Sequence, residues 1–199
     1  MSQPSYRRPI ADYIRAQANP PDKFSHQPRL YQLATQLAKA QPFDDDVLYA
    51  AAWLHDIGVF FGHRPEDPAA LAKWDNVAYA LKEAPALLQR FGFPAWKIPA
   101  VIEVIRTHVP SGHPTSFEGV LLRDADILEQ LGAVGILRTV SKIGRDTRFA
   151  TFEEALQVLQ RNADRLPAQL QLESARELAK ARLQILNTFL SAAEDENAS

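Results

Sequence analysis

Residues 44–58 read Asp44-Asp45-Asp46-Val47-Leu48-Tyr49-Ala50-Ala51-Ala52-Trp53-Leu54-His55-Asp56-Ile57-Gly58. Three carboxylates suit the positive end of a helix dipole. Val47, Leu48, Ala51, Ala52 and Leu54 then give an apolar run, and Gly58 supplies a stop. The stretch predicts a buried helix that delivers an imidazole and a carboxylate at its end. His55 shares an inward stripe with Leu48, Ala51 and Ala52, and Asp56 follows about 100° round the same helix. A carboxylate at a helix C-terminus opposes the macrodipole, an objection that a bound cation removes. With 5 His in the chain and 13 Asp, a His-Asp pair arises by chance roughly one time in three, so its setting must carry the signal.

Outward from this stretch the chain reads as helical throughout. Gly is scarce at 8, while Ala, Leu and Gln recur, and the 14 Pro fall mostly where helices should begin or end. An upstream helix is expected over 25–39, with Leu30, Leu33, Ala34 and Leu37 as its apolar stripe. Residues 58–68 read as a loop. Helices follow over 69–91 (with a break near Pro85), 95–109, 116–131, 133–143, 152–164 and 168–191. Thr151 and Glu154 have the spacing of a capping box. Residues 1–22 form a polar arm, helical over 7–17, and 193–199 a fraying tail. No strand is expected.

Composition excludes several classes of function. The net charge is −2 and the pI about 6.2, which leaves no electrostatic footprint for nucleic acid. The local basic group Arg138, Lys142, Arg145 and Arg148 is the nearest approach to one. Without Cys there are no disulfides, thiolate ligands or thiol nucleophile. Arg7-Arg8 is followed by too polar a stretch for a signal peptide. No segment nears the ~20 apolar residues of a membrane span. The expectation is a soluble, cytoplasmic protein.

His26 heads the stripe of Leu30 and Leu33 at i, i+4, i+7, so it points inward, either as a backbone-bonded helix histidine or as a ligand. Further along, Val120, Leu121, Asp124, Ile127, Leu128 and Leu131 share a face, which makes Asp124 the inward carboxylate; Asp126 falls on the other side with Leu122 and Glu129. The alternative for either Asp is a solvated surface charge, the commonest fate of that residue. His108 sits at the edge of the stripe Ile98, Val101, Ile102, Ile105 and Val109. His63 and His113 lie beside Gly and Pro and are expected at the surface. Two imidazoles and two carboxylates in the order His26, His55-Asp56, Asp124-Ala125-Asp126 can hold one divalent transition metal.

Three segments, His26-Gln27-Pro28-Arg29-Leu30, Trp53-Leu54-His55-Asp56-Ile57-Gly58 and Leu122-Arg123-Asp124-Ala125-Asp126-Ile127-Leu128, together resemble the HD superfamily of metal-dependent phosphohydrolases, in particular its small stand-alone bacterial members. Leu131-Gly132-Ala133, Gly135-Ile136, Arg138 and the segment Ala175-Arg176, Leu178-Ala179 and Arg182 extend the resemblance over roughly residues 23–192. It implies an all-α, single-domain helical bundle of the HD type. It implies metal ligands at His26, His55, Asp56 and Asp126. Asp124 then becomes an orienting residue or a substrate contact. Arg29 and Arg138 rank first for phosphate, with Lys142 and Lys73 behind them.

The chain also departs from the pattern. Ile57-Gly58-Val59-Phe60 stands where guanosine-tetraphosphate hydrolases carry x-x-Glu-Asp, and Val59 replaces a Lys common in signalling members. The two extra His of dinuclear members have no well-spaced counterpart among His63, His108 and His113, so a single-metal site is expected.

The function that follows is hydrolysis of a nucleotide or another small phosphate ester, with one divalent ion (Mn, Mg, Co, Ni or Fe) activating a water for attack on phosphorus. Asp124 or His108 would take the proton, and Trp53, Phe60, Phe61, Trp74 and Trp96 are candidates for a stacking surface. Two competing readings are a noncatalytic nucleotide-binding sensor and a di-iron oxygenase of the same fold. No nucleic-acid or membrane partner is expected, and the oligomeric state is not legible.

Overall fold

The structure is a computed structural model that describes residues 5–144 and 150–197; Arg145 and Arg148 of the basic group lie outside them. The described residues are helical with no strand, and an isolated bridge pairs Phe61 with Arg64. The chain groups into two compact units, Met1–Arg123 and Asp124–Ser199, with the boundary inside a helix rather than in a linker.

In the first unit the helices are α1 (Arg7–Gln17), α2 (His26–Leu37), α3 (Asp45–Leu54), α4 (Pro68–Leu71), α5 (Asn76–Arg90), α6 (Ile98–Thr107) and the first part of α7 (Phe117–Glu129). The opening stretch is the centre of this unit. Every residue from Val47 to Leu54 is buried, the mark of a helix surrounded on all sides, and α3 packs against α1, α2, α5 and α6. Asp44 caps it, its Oδ1 accepting the N–H groups of Asp46 and Val47 at 3.1 and 3.2 Å, a contribution of about 1 kcal/mol. The arm expected over 1–22 carries α1, whose Ile10 and Ile14 are fully buried. Arg7 is buried with them: its Nη2 reaches Asp45 Oδ2 at 2.6 Å and Asp46 Oδ1 at 3.3 Å, and its guanidinium carbon lies 4.6 Å from the Tyr49 ring centre. Lys97 Nζ closes the same acidic end with 2.8 Å bonds to Asp44 and Asp46.

The helix expected over 69–91 is two helices, broken before Asn76 and not at Pro85, which sits inside α5. Each piece has its own cap. Asp67 Oδ2 accepts from Ala70 N and Asp75 Oδ1 from Ala78 N, both at 2.8 Å. Two strong starts 8 residues apart, Asp67 and Asp75, decide the break. Pro85 costs α5 one backbone bond, to the carbonyl of Leu81, and burial of Ala80, Ala84, Leu87 and Leu88 on either side holds the helix together.

In the second unit, α7 continues from Asp124 and is followed by α8 (Gly132–Val140), α9 (Phe152–Arg165) and α10 (Glu173–Asn197); α8, α9 and α10 pack on one another. Gly132 has φ +69°, and a Cβ there would stand 3.0 Å from Arg182 Cβ, so the turn between α7 and α8 requires glycine. Arg182 reaches back to donate to the Leu128 carbonyl. The capping box at α9 is present, with Thr151 Oγ1 accepting from Glu154 N at 3.2 Å and the Glu154 carboxylate from Thr151 N at 3.4 Å. α10 runs on to Asn197, past the end expected at 191, because Ala192, Ala193, Glu194 and Glu196 are good helix formers.

Candidate metal centre

Three side chains of the first unit converge. His26 is the first residue of α2, and His55 closes α3. Asp56 lies just beyond, at φ −106° and ψ 15°, where the chain leaves the α-helix for a 3-10 turn over Ile57–Val59. That exit takes the Asp56 carboxylate out of the helical register, which meets the dipole objection raised by the sequence. Close packing fixes the turn: a Cβ at Gly58 would stand 2.7 Å from the Asn76 carbonyl oxygen at the start of α5, and the Trp74 indole N–H donates to the Gly58 carbonyl at 2.8 Å.

His26 Nε2 lies 3.7 Å and His55 Nε2 3.5 Å from Asp56 Oδ2, and one donor atom from each of the three residues lies within 4.8 Å of the others. Ligand atoms about 2.0–2.2 Å from a common ion stand roughly 3–3.5 Å apart, so the spacing fits a metal with little adjustment. The tautomer of His55 fits as well. Its Nδ1 is 3.0 Å from the Ala52 carbonyl oxygen, which can only accept, so the proton sits on Nδ1 and the Nε2 lone pair faces the carboxylate. His26 and His55 are both buried. Burial disfavours the charged Asp56, yet positive charge on the neighbouring imidazoles, His55 first and then His26 and His108, holds the carboxyl well below its ordinary range, and a bound cation would supply that charge in their place. A carboxylate beside two buried imidazoles is a donor set for a borderline divalent cation.

His108 stands beside this group. It closes α6, is buried, and its ring centre is 4.9 Å from that of His55. Its Nδ1 donates to the Ile105 carbonyl at 2.6 Å, the same fixation that His55 has.

Both aspartates of the Asp124-Ala125-Asp126 triplet lie in the second unit. Asp124 is fully buried, as the helical stripe predicts. Its Oδ2 accepts from the Gln171 and Leu172 N–H groups at 2.9 and 2.7 Å, where the chain turns into α10. Asp126 is half-buried, its Oδ2 accepting from Gln130 Nε2 at 3.3 Å. Of the cations, Arg29 Nη1 donates to the Ser25 carbonyl at 3.0 Å, one turn before it. Arg138 Nη1 pairs with the buried Glu129 at 3.5 Å. Lys142 is half-buried and Lys73 exposed.

The surface expectation holds for His113 and fails for His63, which is half-buried, with Nε2 donating to Gln17 Oε1 at 2.7 Å and Nδ1 2.9 Å from the Tyr79 hydroxyl. Burial holds its pKa below the usual value, with Glu83 acting in the opposite sense. The loop after Asp56 is thereby tied to α1 and α5, and Phe61 N–H adds a 3.1 Å bond to the Asn19 carbonyl. Partners so far apart in sequence leave no periodic trace, so these bonds have no signature in the sequence. Among the candidate stacking aromatics, Trp53 and Phe60 are core residues, whereas Trp96 is 77% exposed.

The HD domain family profile matches residues 24–131, over half of the chain, and the chain belongs to that family. Bacillus subtilis YpgQ, whose structure has been solved in complex with ADP, superposes with a TM-score of 0.72 at 22% identity, covering 96% of this chain and 94% of that one. An HD-superfamily hydrolase from Bacillus thuringiensis gives a TM-score of 0.69 at 19% identity, covering 97% of each chain. A predicted HD superfamily hydrolase from an uncultured Thermotogales bacterium gives 0.63 at 26% identity, covering 95% and 91%. No curated protein matches the chain in sequence. No helix among the described residues is long and apolar enough to cross a membrane.

Proposed function

We propose that this protein is a cytoplasmic metal-dependent phosphohydrolase acting on small phosphate esters, nucleotides first among them. The observation that carries the reading is the convergence of His26 Nε2, His55 Nε2 and Asp56 Oδ2 within 4.8 Å. Asp126 is the fourth ligand in this reading, supported by its place in the Ala-Asp-x-Leu motif. Asp124 is already engaged with the main chain before α10. A divalent ion held by these residues supplies Lewis acidity, which activates water and polarises a phosphoryl oxygen.

The remaining roles belong to the chain. His108, with its proton held on Nδ1 by Ile105, presents an Nε2 lone pair beside His55 and is the better of the two expected proton acceptors. Arg29 stands one turn along α2 from His26, and its guanidinium contributes charge and fork-shaped donors to an equatorial phosphoryl oxygen. Arg138, which pairs with Glu129, is the second phosphate contact. Lys142 and Lys73 complete the set of candidate phosphate contacts. The nucleotide preference draws its support from the ADP complex of the similarly folded YpgQ.

The test is phosphate or pyrophosphate release from a panel of nucleotides and other phosphate esters, in EDTA and with Mn, Mg, Co, Ni or Fe(II) restored. Metal-restored turnover that His55→Ala abolishes is the expected result. Ligand retention without turnover under any metal would replace this reading with that of a sensor, and two irons per chain with that of an oxygenase.

A further inference from the structure

Arg123 is a buried cation of the first unit that the metal centre does not use. Its Nε and Nη2 both donate to one acceptor, the Pro110 carbonyl, at 3.1 and 2.6 Å. Pro110 lies two residues after His108, in the turn that leaves α6. A buried charge making two bonds to a single carbonyl fixes that carbonyl firmly, since charge-assisted bonds are about twice as strong as neutral ones. The guanidinium also stands at the C-terminal end of α6, where positive charge is favoured.

The rest of the turn is equally constrained. Gly112 N–H donates to the Val109 carbonyl at 2.8 Å, and a Cβ on Gly112 would stand 2.2 Å from the Thr107 carbonyl oxygen. A Cβ on Gly119 would meet Pro114 at 2.8 Å. Val109 precedes proline and is steered away from helical angles. His108 thus lies between the last turn of α6 and the Arg123–Pro110 bonds, with its Nδ1–H on the Ile105 carbonyl.

We propose that Arg123 is a positioning residue for His108. By holding Pro110 it keeps the imidazole in the Nδ1–H tautomer, with the Nε2 lone pair presented beside His55. The catalytic consequence rests on the phosphohydrolase reading; the positioning itself does not.

The experiment is therefore in two parts. Metal-free protein labelled with 15N-histidine is compared by long-range 1H–15N NMR with R123Q and R123K, the latter keeping charge and one donor if the former fails to fold. The His108 signal is assigned by its loss in H108Q. The parent should show His108 as a single Nδ1–H tautomer. The variants should show it shifted toward a mixture, with His26 and His55 unmoved. An unchanged His108 signal would overturn the proposal whatever the enzyme does. In turnover, R123K should lower kcat about tenfold with KM within about twofold, and should cost nothing further in an H108Q background. Additive losses would also overturn it. A parent protein inactive on every substrate would instead sink the phosphohydrolase reading and leave the NMR result to decide the positioning.

Discussion

His55 and His108 use one device, an Nδ1–H bond to the carbonyl three residues back, which turns the opposite nitrogen toward the site. The acceptor is local in both cases, and at His108 the Arg123 bonds to Pro110 add a constraint from α7. Replacing either His55 or Asp56 by alanine should abolish both metal retention, read by elemental analysis after desalting, and turnover. Asp124 calls for a different measurement. Its fully buried carboxylate satisfies two main-chain N–H groups, and Asp124→Ala should lower stability by about 2–3 kcal/mol in urea unfolding. At this scale the ordered His26, His55-Asp56 signature was legible, because ligand chemistry demands particular residue types. The Arg123–Pro110 and His63–Gln17 bonds were not, because a carbonyl or an amide accepts from many donors and leaves no compositional mark.

Helices were legible wherever a cap and an apolar period coincided. The predicted stripe of α2 is buried in full at Leu30, Leu33, Ala34 and Leu37, and the Thr151–Glu154 box stands where expected. Thr151→Ala should cost about 1 kcal/mol, read as a shift of the urea midpoint. The misplaced break in the 69–91 segment shows what the pattern missed. Proline is the stronger punctuation by propensity, whereas the Asp67 and Asp75 caps govern where the chain restarts. The turn at Gly58 is set by contact rather than by propensity. Gly58→Ala would drive a methyl to within 2.7 Å of the Asn76 carbonyl oxygen. The expected result is weaker metal retention together with a loss of roughly 1–3 kcal/mol in stability.

For the molecule as a whole, the all-α class followed from scarce Gly and helical periodicity, while the division of the chain within α7 left no sequence signal, since a continuous helix carries none. Titration also acts at this scale. The folded pKa of His63 is depressed below 6.5 by burial, so its neutral form is favoured in the folded state. Its contribution to stability is complete above the unfolded value and is lost as pH falls through the folded one. Urea midpoints should therefore fall from pH 7.5 to 5.5, and His63→Gln should flatten part of that slope; an unaltered slope would refute this assignment. Asp46 acts in the same direction at lower pH. Burial opposes its charge, but Lys97, Tyr6 and Arg7 depress its pKa below 3.8, so its contribution is present above that value and lost below it. Arg7 and Lys97 have another bearing. They grip the acidic end of α3, a helix about 15 Å long whose opposite end is His55. A genetic search for chains that fail to load metal should return these two basic residues alongside the proposed ligands, although neither is among the residues that would hold the ion and Arg7 lies before the stretch by which the family is recognised.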